Sequence, residues 1–310
     1  MGLLSALRGI PVWMGLRPSE PSVEPPDVLL AVQATTAHLD GVRAGMGREA
    51  ATGSPLRVHG AQPREVYSQA RALHHKVERL CREQGLSQVP CPDRPQRVPQ
   101  PRDVLALVEH LTPMVTAVGA QLEATVHPVP APRDDRATPS HVCRALLQLN
   151  RQANLLLNVP YSPCEVQEQV ALALAYVERL LRVFPTRSVF PRRASVSPDI
   201  DAPAVHARLV DCFERIGVIA RRSGHSVISL RVNRITALRV DPGDTYDMAG
   251  LLVDELHHLH LTRGDLAPPV ALPVGPDRGH SDVFRAAGML LQRLAALDEA
   301  TLNRPDWLVR

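Results

Sequence analysis

Aromatic side chains are scarce in this chain: four Phe, four Tyr and two Trp among 310 residues. Few platforms therefore exist for stacking bases, and a formal net charge of +3 gives no electrostatic argument for a nucleic-acid or anionic-membrane partner. Lysine is nearly missing as well. Lys76 stands alone among arginines, which reads as a bias of the coding sequence rather than as chemistry. No apolar run approaches the ~20 residues that span a bilayer, so no membrane span is expected. The segment from Met1 to Leu16 is apolar but broken by Arg8 and Pro11, with no charged start or evident cleavage site, and makes a poor signal peptide. The default location is cytoplasmic, and periplasmic only if the true N-terminus differs.

Five cysteines are too few and too odd for a complete disulfide framework. Cys143 and Cys164 open successive helices, at opposite ends of the hairpin those helices would form and beyond the ~7 Å reach of a bridge. Cys212 falls on an apolar stripe, and Cys81 with Cys91 is the one pair close enough in sequence to invite pairing. Also missing are a phosphate-cradling glycine loop, a Cys-x-x-Cys pair and a Gly-x-Ser-x-Gly elbow. No catalytic or cofactor-binding residue is assigned, no cofactor is expected, and the chain is read as non-enzymatic.

What is present is a repeat. Eight helix openings recur: Pro26-Asp27-Val28, Pro63-Arg64-Glu65-Val66, Pro101-Arg102-Asp103-Val104, Pro139-Ser140-His141-Val142, Pro163-Cys164-Glu165-Val166, Pro203-Ala204-Val205, Pro242-Gly243-Asp244-Thr245 and Ser281-Asp282-Val283. Proline needs no N–H in a first helical turn and is already bent for it. An acidic residue just before the valine sits near the positive end of the helix dipole. Counted from the valine or Thr245, offsets 0, 4, 7, 11 and 14 are apolar everywhere except Thr35 and Thr245. That spacing lays one narrow stripe down each helix.

The openings lie 38–40 residues apart, save for one step of 24 between Val142 and Val166. The short step divides the chain into two sets of four, which an internal duplication explains. The expected fold is all-α: a helical repeat array of two tandem four-helix halves joined by long, proline-rich extended connections. The halves span 27–158 and 159–298, with tails at 1–26 and 299–310. Helices of about 18–20 residues are about 27–30 Å long, and connections of roughly 15–20 residues far exceed the usual 2–8. Such connections can run back along a bundle and leave successive helices parallel. Ile228–Val232 alternates like a strand, which needs a partner such as another connection.

The chemistry-bearing segment is Asp254-Glu255-Leu256-His257-His258-Leu259-His260. Helical spacing puts Asp254, Glu255, His257 and His258 within reach of a metal ion, and these four are the candidate ligands. They flank the stripe of Leu252, Leu256 and Leu259, so the competing reading is a solvated polar face. His74 and His75 are off-stripe in the same way. Tyr67, Tyr246 and Phe284 follow helix openings and are read as seals of the first turn. Arginines and phenylalanines from Arg182 to Arg193 read as an exposed linker. The expected function is a non-catalytic module for macromolecular interaction or self-assembly, with a protein partner or a homo-oligomer. The alternative is a small-molecule or metal-binding helical bundle, its ligand held between the halves or inside one.

Overall fold

The chain is all-α. The computed structural model describes residues 22–51, 56–95, 97–124, 132–185, 200–232, 240–264, 266–271, 273–302, 304 and 306–308. Eight helices are found among them: α1 (Pro25–Gly45), α2 (Pro63–Glu83), α3 (Pro101–Gln121), α4 (Pro139–Leu156), α5 (Pro163–Leu181), α6 (Ala202–Arg222), α7 (Pro242–Arg263) and α8 (His280–Thr301). All five stripe positions of every helix are enclosed, none more than 4% exposed. The two threonines conform by returning their hydroxyls to the backbone one turn earlier. Thr35 donates to the Ala31 carbonyl at 3.0 Å and Thr245 to that of Asp241 at 3.3 Å, which satisfies a polar group inside the core.

The acidic residue of each opening closes a cap. The Asp27, Glu65, Asp103, Glu165, Asp244 and Asp282 carboxylates each accept from the backbone N–H three residues earlier, at 2.7–3.3 Å. In α4 the Nδ1 of His141 takes that role, and in α6 Asp201 accepts from the Ala204 N–H instead. These bonds satisfy donors that a helix start leaves unpaired.

Within the first half α1 packs on α3 and α4, and α2 on α3 and α4. The second half pairs in the same pattern, α5 with α7 and α8, α6 with α7 and α8. Pro25, Pro63, Pro101 and Pro139 surround one small apolar gap together with Val28, Val66, Val104 and Val142. The four starts therefore meet at one end, and α1–α4 are parallel. Pro163, Ala202, Pro242 and His280 converge likewise, so the second bundle is parallel too. Parallel neighbours force each connection to travel back the length of a helix. The stretches 46–62, 84–100 and 122–138 have that reach, at ~3.3 Å per residue against ~1.5 Å in a helix.

The 157–162 turn reverses the chain, so the two bundles lie antiparallel. Lys76, late in α2, meets Asp247 early in α7, while Arg64 at the start of α2 lies 3.9 Å from Glu255, late in α7. The expected strand exists and its partner is a connection of the other bundle. β1 (Leu56–His59) pairs antiparallel with β2 (Ser229–Val232), Val58 opposite Leu230, both side chains buried. Gly243 lets α7 lie close against Asn154 of α4, because a Cβ there would fall 2.4 Å from Asn154 Cγ. Trp307 is buried against Phe184 and donates Nε1–H to Ser223 Oγ at 2.6 Å.

Among the described helices α3 alone is long and apolar enough to cross a membrane by length and composition. Its stripe is enclosed by α1 and α2. All five cysteines are free thiols, Cys81 and Cys91 included.

Candidate functional site

The polar residues of α7 do not form a uniformly solvated face: Glu255 is buried, while Asp254, His257 and His258 are half-buried and line a cleft. That face packs against α2 and α4 of the first bundle, and Glu255 is 1% exposed. The reason is tertiary. A second bundle docks on the side of α7 that its own stripe leaves uncovered.

Between the bundles lies a cleft of about 610 Å³. The start of α2 contributes Arg64, Glu65, Tyr67 and Ser68, and the 84–100 connection Arg94, Arg97, Pro95, Val98 and Pro99. The end of α7 closes it with Asp254, Glu255, His257, His258, Leu261 and Thr262. All four sequence candidates thus line one cavity. Among the described residues, however, their ligating atoms do not gather closely enough to form a metal cluster.

Arg94 explains why. Its guanidinium donates to Asp254 at 2.9 Å, to His257 Nδ1 at 2.7 Å and to Ser68 Oγ at 3.4 Å. A fixed positive charge therefore occupies the lone pairs that a cation would need. Burial, then Arg94, lowers the His257 pKa. Burial, then Arg64, lowers that of His258 to about 4, so both rings are neutral at pH 7.

Glu65 and Glu255 form the floor. Glu65 accepts from the Gln62 N–H at 2.7 Å and pairs with Arg64. Glu255 meets the Glu65 carboxyl side chain to side chain, and Arg64 lies 3.9 Å away, too far for a hydrogen bond. Burial raises both pKa values, that of Glu255 well above the ordinary range, with the charge of Glu65 adding to the effect and Arg64 opposing it. Two carboxyls in one enclosed place oppose each other's ionisation, and Glu255 is the one whose pKa is pushed further up. A retained proton has a sign that stability measurements read. Above pH 4.5, its value outside the fold, the folded chain holds a proton that the unfolded chain releases, and stability falls as pH rises through that window. Glu255→Gln is neutral at every pH and lacks this fall. Urea unfolding at pH 5 to 8 should therefore show the variant gaining on the parent by up to about 1.4 kcal/mol per pH unit. Parallel profiles would mean an ordinary glutamate.

The rest of the junction is polar and closely fitted. Lys76 Nζ, fully buried, bonds Asp247 at 2.6 and 2.7 Å and the Asn150 carbonyl at 3.3 Å. Asn154 donates to Asp247 at 3.0 Å, and Arg151 pairs with Asp244 at 3.2 Å. Tyr246 stacks on Tyr161 of the 157–162 turn, ring centroids 3.9 Å apart, with Arg79 over the Tyr161 ring. Tyr246 does seal a first turn, as its position suggested, whereas Tyr67 lines the cleft.

Sequence reasoning missed Lys76, Glu65 beyond its capping role, Arg64 and Arg94. One signal was available for Lys76: a single lysine among arginines. The linker arginines Arg187, Arg192 and Arg193 lie outside the described residues, as does Asp265. No protein family, curated protein or solved structure matches this chain.

Proposed function

We propose that this chain is a binding protein for a small neutral amphipathic molecule, held in the cleft between the bundles. The observation that carries the reading is the cleft of about 610 Å³ with the Glu65–Glu255 carboxyl pair buried in its wall. A carboxyl pair sharing a proton offers both acceptor and donor atoms, and a ligand group that both donates and accepts, an amide or a hydroxyl, suits it. The guanidiniums do not call for an anion, because Arg64 faces Glu65, Arg94 holds Asp254, and Arg97 holds Asp103 at 2.6 and 2.7 Å. Val98 and Leu261, 68% and 61% exposed, offer apolar walls to the body of the molecule. Cavities of this size and mixed lining at a domain junction are common small-molecule sites.

Native mass spectrometry of the protein purified from its source cells tests this. A bound molecule of a few hundred daltons is expected in the parent and is lost in Leu261→Arg, which fills the mouth without disturbing the core. A bare chain, or a complex with a second protein that survives Leu261→Arg, would favour instead the interaction module that a repeat architecture suggests.

A further inference from the structure

One cluster lies outside the cleft and is used by nothing described so far. We propose that His74, His75 and Cys91 form a site for a zinc-class transition metal, with Glu78 orienting the second histidine. The ligating atoms of the three residues all lie within 4.8 Å of one another. Among the described residues no other group of three histidine, cysteine or carboxylate side chains converges so closely.

Burial supplies the independent observation. The ring of His74 is 0% exposed, its Nε2 has no hydrogen-bond partner, and its Nδ1 has only Glu78 Oε2 at 3.7 Å. An enclosed imidazole nitrogen without a hydrogen bond is an exception among buried polar groups and asks for a reason. A metal on one nitrogen provides it. His110 of α3 stacks on His74, centroids 5.4 Å apart, and its Nε2 is also buried and unpartnered. The pocket around His74 is thus short of hydrogen-bonding partners on more than one side.

The surroundings suit a metal in further ways. Glu78 Oε2 lies 3.0 Å from Nδ1 of His75. A carboxylate accepting there leaves the lone pair of His75 on Nε2, the second-shell arrangement that orients ligating histidines. Cys91 is brought back toward α2 by the connection that leaves it. Leu86 N–H turns onto the Cys81 carbonyl, and Arg71 holds the Pro92 carbonyl. His75 is half exposed, at 53%, so an ion reaches the site from solvent. Thiolate and imidazole together select zinc over calcium or magnesium. Bond lengths of ~2.0–2.3 Å to zinc place ligand atoms about 3.3–3.7 Å apart. His75 and Cys91, the two less buried partners, close the difference by side-chain rotation. Three protein ligands leave a fourth position for water. Metal uptake releases the thiol proton, since the thiolate is the ligand.

The full chain, reduced and freed of metal with a chelator, is titrated with Zn²⁺ and separately with Co²⁺ as a spectroscopic probe. One equivalent is expected to bind, the cobalt form showing a thiolate-to-metal charge-transfer band. Cys91→Ser removes the band and weakens zinc at least tenfold, and His75→Ala weakens it comparably. Glu78→Gln costs about tenfold, in line with second-shell changes elsewhere. Cys164→Ser, at another partly exposed thiol, and His258→Ala, in the cleft, leave both readouts unchanged. Thermal melting of each variant confirms that it folds. No binding by the parent, an unaltered band in Cys91→Ser, or loss of binding in His258→Ala overturns the proposal.

Discussion

Lys76→Met is expected to destabilise the protein by about 3–5 kcal/mol, the usual consequence of removing one partner from a buried ion pair. The ammonium is enclosed on all sides, and burial depresses its pKa while Asp247 counters that effect. Without it Asp247, 11% exposed, keeps Asn154 as a neighbour but loses its counter-charge. The double variant Lys76→Met/Asp247→Leu replaces the pair by apolar side chains of similar size and should recover most of the loss. It will not recover all, since Asn154 Nδ2 and the Asn150 carbonyl then lack their partners. Urea unfolding of the parent, both single variants and the double variant gives the coupling directly. A loss below about 1 kcal/mol in Lys76→Met would show that the pair is hydrated and the bundles less closely joined than described. The compact ammonium also explains why an arginine-rich chain has lysine here, because a guanidinium is larger and needs a fork of partners.

Leu290→Ala is expected to cost about 2–5 kcal/mol. The side chain is 0% exposed at the centre of the α8 stripe, and α8 packs on both α5 and α6. Emptying its place leaves a cavity that neighbouring stripe residues, themselves fixed by the same repeat, are poorly placed to fill. Leu302→Ala is the matched control. Leu302 is 56% exposed, and surface truncations usually stay within about 0.5 kcal/mol. Thermal or urea unfolding of the two variants side by side should separate them by at least about 2 kcal/mol. Equal effects would mean that the repeat positions are not the core.

The contrast between these sites shows what was legible. Leu290 could be assigned to the core from spacing alone, because a helix that buries one face must repeat apolar residues along it. Thr35 and Thr245 broke the apolar rule and yet sit where the spacing put them, since a hydroxyl can bond its own helix. Ile228–Val232 was recognisable as a strand in need of a partner, though its partner lies more than half the chain away. Asp254, Glu255, His257 and His258, the candidate ligands of the sequence, line one cleft, and Glu255 is buried there rather than solvated. An off-stripe polar residue looks the same in sequence whether water or another bundle covers it.

The sequence by itself determined eight helix starts, the buried stripe of each, their grouping into two sets of four and the length of the connections. All of these are local or periodic properties, read within about one helix of sequence. Only the tertiary structure decided that the helices of each bundle are parallel, that the bundles lie antiparallel, and that a cleft opens between α2 and α7. It alone brought Lys76 to Asp247, 171 residues away, and Glu65 to Glu255. The physical reason is that burial of a polar group depends on what docks against it, and docking joins surfaces whose chemistry leaves no periodic trace in the chain.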